Sequence, residues 1–200
     1  PKKPIPLPNI APHLTERIKN EYPGKQLHST INAGLQQQAN RIAEQHYNNL
    51  KTNEIHNLAI LVLEVESRNV LAYVGNSPST KNDANYVDII TKKRSTGSTL
   101  KPLLFASLMH DGQLLPIALV RDIPTVINGY NPKNFNNRHA GVVAADRALS
   151  RSLNVPAVRL LRSYGLQKFY NKLQKLGFSG LDHSADHYGL SLVLGGAESS

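Results

Sequence analysis

One short motif in the sequence combines a nucleophile with a base. Ser98 and Lys101 stand three residues apart in the segment STLK, which is the only Ser-x-x-Lys match in the chain. A serine hydroxyl is a weak nucleophile at neutral pH and needs a base within reach. Residues three apart share one face of a helix, and Pro102 favours the first turn of a helix at this point. The spacing therefore predicts a serine that a lysine could activate for acyl transfer.

A second pattern places a hydroxyl and an amide two residues apart. Ser152 and Asn154 lie between two segments with helical spacing. At such a turn both side chains can face a cleft, where the hydroxyl could relay a proton and the amide could orient a substrate carbonyl. Serine and asparagine are also ordinary turn and capping residues, so this pattern alone does not decide between a site and a turn.

The elements that must position these residues follow from periodicity and turn signals. Apolar spacing predicts helices over residues 33–51, with Asn32 as the N-cap, and over 100–110, 143–150, 155–163 and 166–176. The runs LAILVLEV (58–65) and VLAYV (70–74) predict an antiparallel hairpin whose first strand is buried on both faces. Residues 76–85 predict a surface loop, 120–137 a long irregular loop, and the proline-rich residues 1–12 an extended arm. Two strands followed mainly by helices predict an α+β fold.

Four segments carry a family resemblance. RSTGSTLKP (94–102) closely resembles the nucleophile motif of class A penicillin-binding proteins, and ALSRSLNVPAVRLL (148–161) resembles their second motif. YNPKNF (130–135) and GLSLVLGGAE (189–198) are similar to further segments of that family. The resemblance runs in order from about Thr30 onward, and the residues STLKP and SLNVPAV are most similar to the 1C-type branch of bifunctional peptidoglycan synthases.

The resemblance implies a fold and a domain organisation. We expect an α+β domain like that of β-lactamases and transpeptidases, an antiparallel sheet with helices. The sheet is expected to be incomplete, because the family's Lys-Ser/Thr-Gly motif on a later core strand is absent: Lys51-Thr52-Asn53 and Lys175-Leu176-Gly177 do not qualify. Residues 1–30 would be a connecting arm, and 31–200 the N-terminal part of the transpeptidase domain.

The resemblance also implies residue roles. Ser98 would attack the carbonyl between the two terminal D-alanines of a peptidoglycan stem peptide, and Lys101 would take or position its proton. Ser152 would relay a proton to the departing D-alanine, and Asn154 would hold the acyl chain. β-Lactam antibiotics would acylate Ser98, and no cofactor is expected. The full protein would lie in the periplasm, with an upstream glycosyltransferase domain and an anchor in the inner membrane.

Other functions stay open at this point. The same motifs would serve a D,D-carboxypeptidase or a β-lactamase-like hydrolase, and the missing third motif would suit a non-catalytic docking fragment. The chain carries 23 lysines and arginines against 14 acids, a net charge of +9, but no nucleic-acid module accompanies this charge, so we expect no nucleic-acid partner. No cysteine is present, and His183 and His187 have no evident third ligand, so we predict no metal site.

Overall fold

The computed structural model describes residues 9–77 and 85–199, and the chain divides into two compact units, Pro1–Lys92 and Lys93–Ser200. In its described residues, the first unit contains α1 (Pro12–Glu21), α2 (Ala33–Leu50) with a 3₁₀ turn over Lys51–Asn53 after it, and a hairpin of β1 (Ile60–Leu63) and β2 (Val70–Val74). Helix α2 begins as predicted, since the Asn32 side chain accepts a hydrogen bond from the Leu35 backbone N–H at 3.0 Å. Helix α1 was not predicted, and it lies inside the segment expected to be a connecting arm.

A small apolar core and one buried amide hold α2 against the hairpin. Strands β1 and β2 pair antiparallel, and alanines of α2 pack on β2 because their small side chains allow close approach. Gln36 is fully buried in α2 and accepts from the Tyr73 N–H at 2.8 Å while donating to the Tyr73 carbonyl at 3.1 Å. The amide thus satisfies backbone groups of β2 that would be costly to bury unpaired.

The hairpin is confirmed, but the expected burial of its first strand is wrong. Leu61 and Leu63 of β1 are 42% and 53% exposed, and burial alternates along the strand. Within the described part of the chain, β1 pairs only with β2. Strand β1 therefore exposes apolar side chains to solvent on one of its two faces.

The second unit is built around one apolar helix. Helix α3 (Lys101–His110) buries Leu104, Phe105 and Leu108 in the core of this unit and ends before Gly112, whose φ of +69° suits a helix terminus. It packs against helices α4 and α5. The other described elements are β3 (Arg94–Ser95), β4 (Leu119–Asp122), β5 (Gly141–Ala144), α4 (Ala145–Ser150), α5 (Asn154–Tyr164), α6 (Leu166–Lys175), α7 (Ala185–Tyr188), a 3₁₀ helix over Gly189–Leu194, and β6 (Glu198–Ser199).

Strand pairing overrides two local predictions in this unit. The long irregular loop expected over 120–137 begins with a strand, because β4 pairs antiparallel with β5 and joins Val120 to Val143. The predicted helix over 143–150 therefore starts later, at Ala145, after an extended Ala144. The helices predicted over 100–110, 155–163 and 166–176 are confirmed within about two residues.

Two further points complete the fold. Most of the surface loop predicted over 76–85 lies outside the described residues, and its first two positions, Asn76 and Ser77, are buried rather than exposed. Across 9–77 and 85–199, no helix has the length and apolar character needed to cross a bilayer.

Candidate active site

Ser98 lies in a tight turn that leads into α3. The Lys101 N–H donates to the Ser98 carbonyl at 3.2 Å, so the two residues are separated by one turn. Ser98 is exposed, and no described residue forms a hydrogen bond with its hydroxyl. Gly97 before it has φ of +52°. A Cβ on Gly195 would lie 2.8 Å from the Gly97 Cα, so the later segment can approach this turn closely only because it has a glycine there.

Lys101 is buried and surrounded by oxygen acceptors. It is 1% exposed, and its Nζ lies 2.7 Å from the Ser152 carbonyl oxygen, 3.1 Å from Ser152 Oγ and 2.6 Å from Asn154 Oδ1. An ammonium group has three N–H donors and no acceptor. The protonated lysine can therefore spend all its donors on these three oxygens.

Burial lowers the pKa of Lys101 to about 8 from its ordinary 10.5. Removing an ammonium from water disfavours its charged form, and Lys101 has no carboxylate hydrogen-bonded to it in the described structure. A substantial neutral fraction near neutral pH is what a lysine base requires.

Ser152 adopts a backbone conformation that serine rarely takes. Its φ is +51°, and it follows α4 at the position where glycine is usual. The Ser152 N–H donates to the Leu149 carbonyl at 2.8 Å, and the Leu153 N–H donates to the Ala148 carbonyl at 2.9 Å, which together form a Schellman turn. A left-handed serine costs on the order of 1–2 kcal/mol. This turn directs both oxygens of Ser152 at Lys101.

The Asn154 amide has a defined orientation. Its Nδ2 donates to the Lys133 carbonyl at 2.8 Å, which leaves Oδ1 to accept from Lys101. The backbone N–H of Asn154 donates to Asn134 Oδ1 at 2.9 Å. The loop containing Lys133 and Asn134 therefore holds Asn154 from one side, and Lys101 holds it from the other.

The structure brings three of the four predicted site residues into direct contact. Lys101, Ser152 and Asn154 form one hydrogen-bonded group, and Ser98 stands one turn away from Lys101 with a free hydroxyl among the described residues. Sequence reasoning missed Asn134 and Asp122, which are buried behind Asn154. The segment YNPKNF drew attention to the loop, but nothing in the spacing identified which of its residues face the site.

The rings of His183 and His187 lie 4.2 Å apart, centroid to centroid. In the part of the chain that the structure describes, no three histidine, aspartate or glutamate side chains are grouped to hold a metal ion.

Comparisons with known proteins identify relatives that belong to one family. Residues 58–196 match the family described as the penicillin-binding protein transpeptidase domain. The chain is 31% identical over 96% of its length to penicillin-binding protein 1C of Escherichia coli (strain K12), and 33% identical over 64% of its length to penicillin-binding protein 1F of Bacillus subtilis (strain 168). It spans about a quarter of the first relative and 17% of the second. The fold resembles penicillin-binding protein PonA1 from Mycobacterium tuberculosis, with a TM-score of 0.68 and 20% identity over 94% of this chain and 51% of that one.

Proposed function

Because the chain belongs to the transpeptidase domain family of penicillin-binding proteins, we propose that it is part of a serine D,D-transpeptidase that cross-links peptidoglycan stem peptides through an acyl-enzyme on Ser98. The observation that supports this most is Lys101. A lysine buried to 1% exposure, one turn after an exposed serine and in contact with Ser152 and Asn154, has the surroundings of a proton carrier rather than of a surface charge.

Acylation begins with the Ser98 hydroxyl. Its oxygen attacks the carbonyl carbon between the two terminal D-alanines, and its proton passes to the neutral Lys101 amine. The carbonyl oxygen becomes an oxyanion close to the start of α3, where the helix dipole favours negative charge. The C–N bond then breaks, the leaving D-alanine amine receives a proton, and the peptide remains on Ser98 as an ester.

Ser152 is suited to deliver that proton. Of the three oxygens around Lys101, the Ser152 carbonyl and Asn154 Oδ1 can only accept hydrogen bonds, whereas the Ser152 hydroxyl can accept or donate. The hydroxyl can therefore pass a proton to the leaving amine and take one from Lys101. This exchange needs no movement of the lysine, because the two groups are already 3.1 Å apart.

The second half-reaction completes the cross-link. An amine of a neighbouring stem peptide attacks the ester carbon, its proton returns through Lys101 to the Ser98 oxygen, and an amide replaces the ester. The Asn154 amide, held by Lys133 and Lys101, would orient the acyl chain through these steps. β-Lactams would acylate Ser98 in the same way as the peptide.

The cellular setting is part of the same proposal. The family members matched are bacterial penicillin-binding proteins, and the chain spans 25% of the E. coli relative. We place the complete protein in the periplasm, with an upstream glycosyltransferase domain and an inner-membrane anchor.

The test is covalent labelling of the complete protein with a fluorescent penicillin, followed by mass spectrometry of the labelled peptide. We expect one adduct on Ser98, no adduct in Ser98→Ala, and full labelling of the control Ser163→Ala, which removes an exposed serine of α5. Incubation with a stem peptide and an acceptor amine should give an amide product, whereas release of free acid alone would indicate a hydrolase. Undiminished labelling of a folded Ser98→Ala variant would refute the proposal.

A further inference from the structure

A chain of buried polar groups continues behind Asn154. Asp122, at the end of β4, is 1% exposed, and Asn134 is 3% exposed. The Asn134 Nδ2 donates to Asp122 Oδ1 at 2.7 Å and to the Arg138 carbonyl at 2.9 Å. The other carboxylate oxygen, Oδ2, accepts from the Ala140 N–H at 2.8 Å. Every polar atom of these two buried side chains has a partner, as burial requires.

The acceptor side of Asn134 is directed at the first turn of α5. Its Oδ1 accepts from the N–H groups of Asn154 at 2.9 Å and Val155 at 3.2 Å. The residue at the N-cap position of α5 is Leu153, whose side chain cannot accept a hydrogen bond. Asn134 thus caps this helix from a separate loop, and it does so at the residue whose side chain contacts Lys101.

We propose that Asn134, held in place by Asp122, is a positioning residue that keeps the Asn154 side-chain oxygen directed at Lys101. Asp122 fixes the orientation of the Asn134 amide, because only the NH₂ end can donate to a carboxylate. The carbonyl end then faces α5 and fixes the backbone of Asn154. The same loop supplies the Lys133 carbonyl that takes the Asn154 NH₂, so both ends of Asn154 are set by one segment.

This inference rests on the proposed function for its effect on catalysis, but not for its effect on Lys101 itself. The titratable groups in contact with the network are Lys101 at one end and His139 at the other, with His139 Nδ1 at 3.6 Å from Asp122 Oδ1. A charge moved along the network towards α5 should therefore change the pKa of Lys101. An unchanged pKa would show that position 134 is not coupled to Lys101.

The experiment exchanges the two residues in the complete protein, as Asp122→Asn with Asn134→Asp. The exchanged pair keeps the bond between the two side chains, the acceptor for α5 and the acceptor for the Ala140 N–H, but it loses the donor to the Arg138 carbonyl. It places the negative charge within hydrogen-bond distance of the Asn154 backbone N–H. We expect a lower unfolding temperature than wild type, because the Arg138 carbonyl loses its donor, and a rise of about 1 unit in the pKa of Lys101 in the folded protein. The control Asn136→Asp makes the same chemical change at an exposed position of the same loop and should leave the pKa unchanged.

Two measurements distinguish a failure of this proposal from a failure of the proposed function. Titration of ¹³C-labelled lysine by NMR, with the Lys101 signal assigned through Lys101→Arg, measures the pKa without any reaction. The pH profile of penicillin acylation should show its acid limb displaced upward by the same amount. Failure of acylation in every protein, wild type included, would refute the proposed function while the NMR titration still tests the network.

A second variant covers the case in which the exchanged protein does not fold. Asn134→Ser keeps an oxygen that can accept from α5, but it replaces two amide N–H donors with one O–H on a shorter side chain, which cannot bond both Asp122 and the Arg138 carbonyl. We expect acylation to slow about tenfold or more at pH 7 in this variant. An unshifted Lys101 pKa in the folded exchange variant, or a wild-type acylation rate in Asn134→Ser, would overturn the positioning role.

Discussion

Lys101 provides the sharpest test of the chemistry, because its environment predicts a pH profile. With a pKa of about 8, roughly a tenth of the molecules carry the neutral amine at pH 7 and about a hundredth at pH 6. The protonated form spends its three donors on Ser152 and Asn154 and has no lone pair for the Ser98 proton. The second-order rate constant for acylation should therefore fall about tenfold from pH 7 to pH 6 and rise about tenfold from pH 7 to pH 9.

The matching substitution is Lys101→Arg. Arginine stays protonated throughout this range, so it preserves the positive charge and removes the base. We expect acylation to slow by about 10²–10⁴-fold. The assay is a time course of labelling with a fluorescent penicillin at fixed ionic strength, with unfolding temperature measured on each variant. Lys175→Arg, at an exposed position of α6, is the matched control and should behave as wild type.

Three outcomes would refute this reasoning. A rate constant that is flat between pH 6 and pH 9 would show that no group with a pKa near 8 controls the step. A rate that increases on acidification would show that the ammonium is the active form. A folded Lys101→Arg variant with wild-type acylation would reduce the role of the lysine to its charge.

Other parts of the structure give further predictions. Ser152→Gly should raise the unfolding temperature by a few degrees, since glycine adopts the left-handed turn without strain, and should slow acylation because the hydroxyl is lost; a lower unfolding temperature would contradict the strain. Hydrogen bonds from Lys168 and Tyr164 lower the pKa of Asp111 to about 2. The ionised carboxylate therefore stabilises the fold above pH 4, and this stabilisation is lost as the pH falls towards 2. Asp111→Asn should weaken the pH dependence of the unfolding temperature between pH 4 and pH 2. An unchanged pH dependence would contradict the ion pair. For the 200-residue chain on its own, Leu61→Thr with Leu63→Thr should reduce aggregation seen by light scattering without lowering the unfolding temperature, and equal aggregation would show that this open face is harmless.

Local rules were sufficient for the helices and for the order of the motifs. The N-cap at Asn32 and the hairpin formed by the two apolar runs both depend on short-range preferences, and the structure agrees with them. The α+β class also follows, since it needs only the sequence of element types. The pairing of β4 with β5 could not be predicted, because two short strands separated by 18 residues leave no periodic pattern.

In the candidate site, too, local geometry could be predicted from the sequence and long-range contacts could not. The spacing of Ser98 and Lys101 predicted that they would be one turn apart, and the helix geometry makes this a local property. The approach of Ser152 and Asn154 to Lys101 spans more than 50 positions and depends on how α3 packs against α5, which spacing does not encode. Asn134 could not be identified from the sequence, because an asparagine in a loop is common and only its buried contacts distinguish it.

One of the three acceptors around Lys101 is a main-chain carbonyl, that of Ser152, and no side-chain substitution can delete it. A substitution at position 152 therefore leaves two of the three acceptors, this carbonyl and Asn154 Oδ1, whereas a substitution of Lys101 removes the donor of all three contacts. In our proposal the drug and the natural peptide share the same first proton transfer, so a change that blocks one blocks the other. We expect resistance substitutions to spare this group and to accumulate at exposed neighbours such as Thr99 and Phe135, which can discriminate between the two acyl donors by shape.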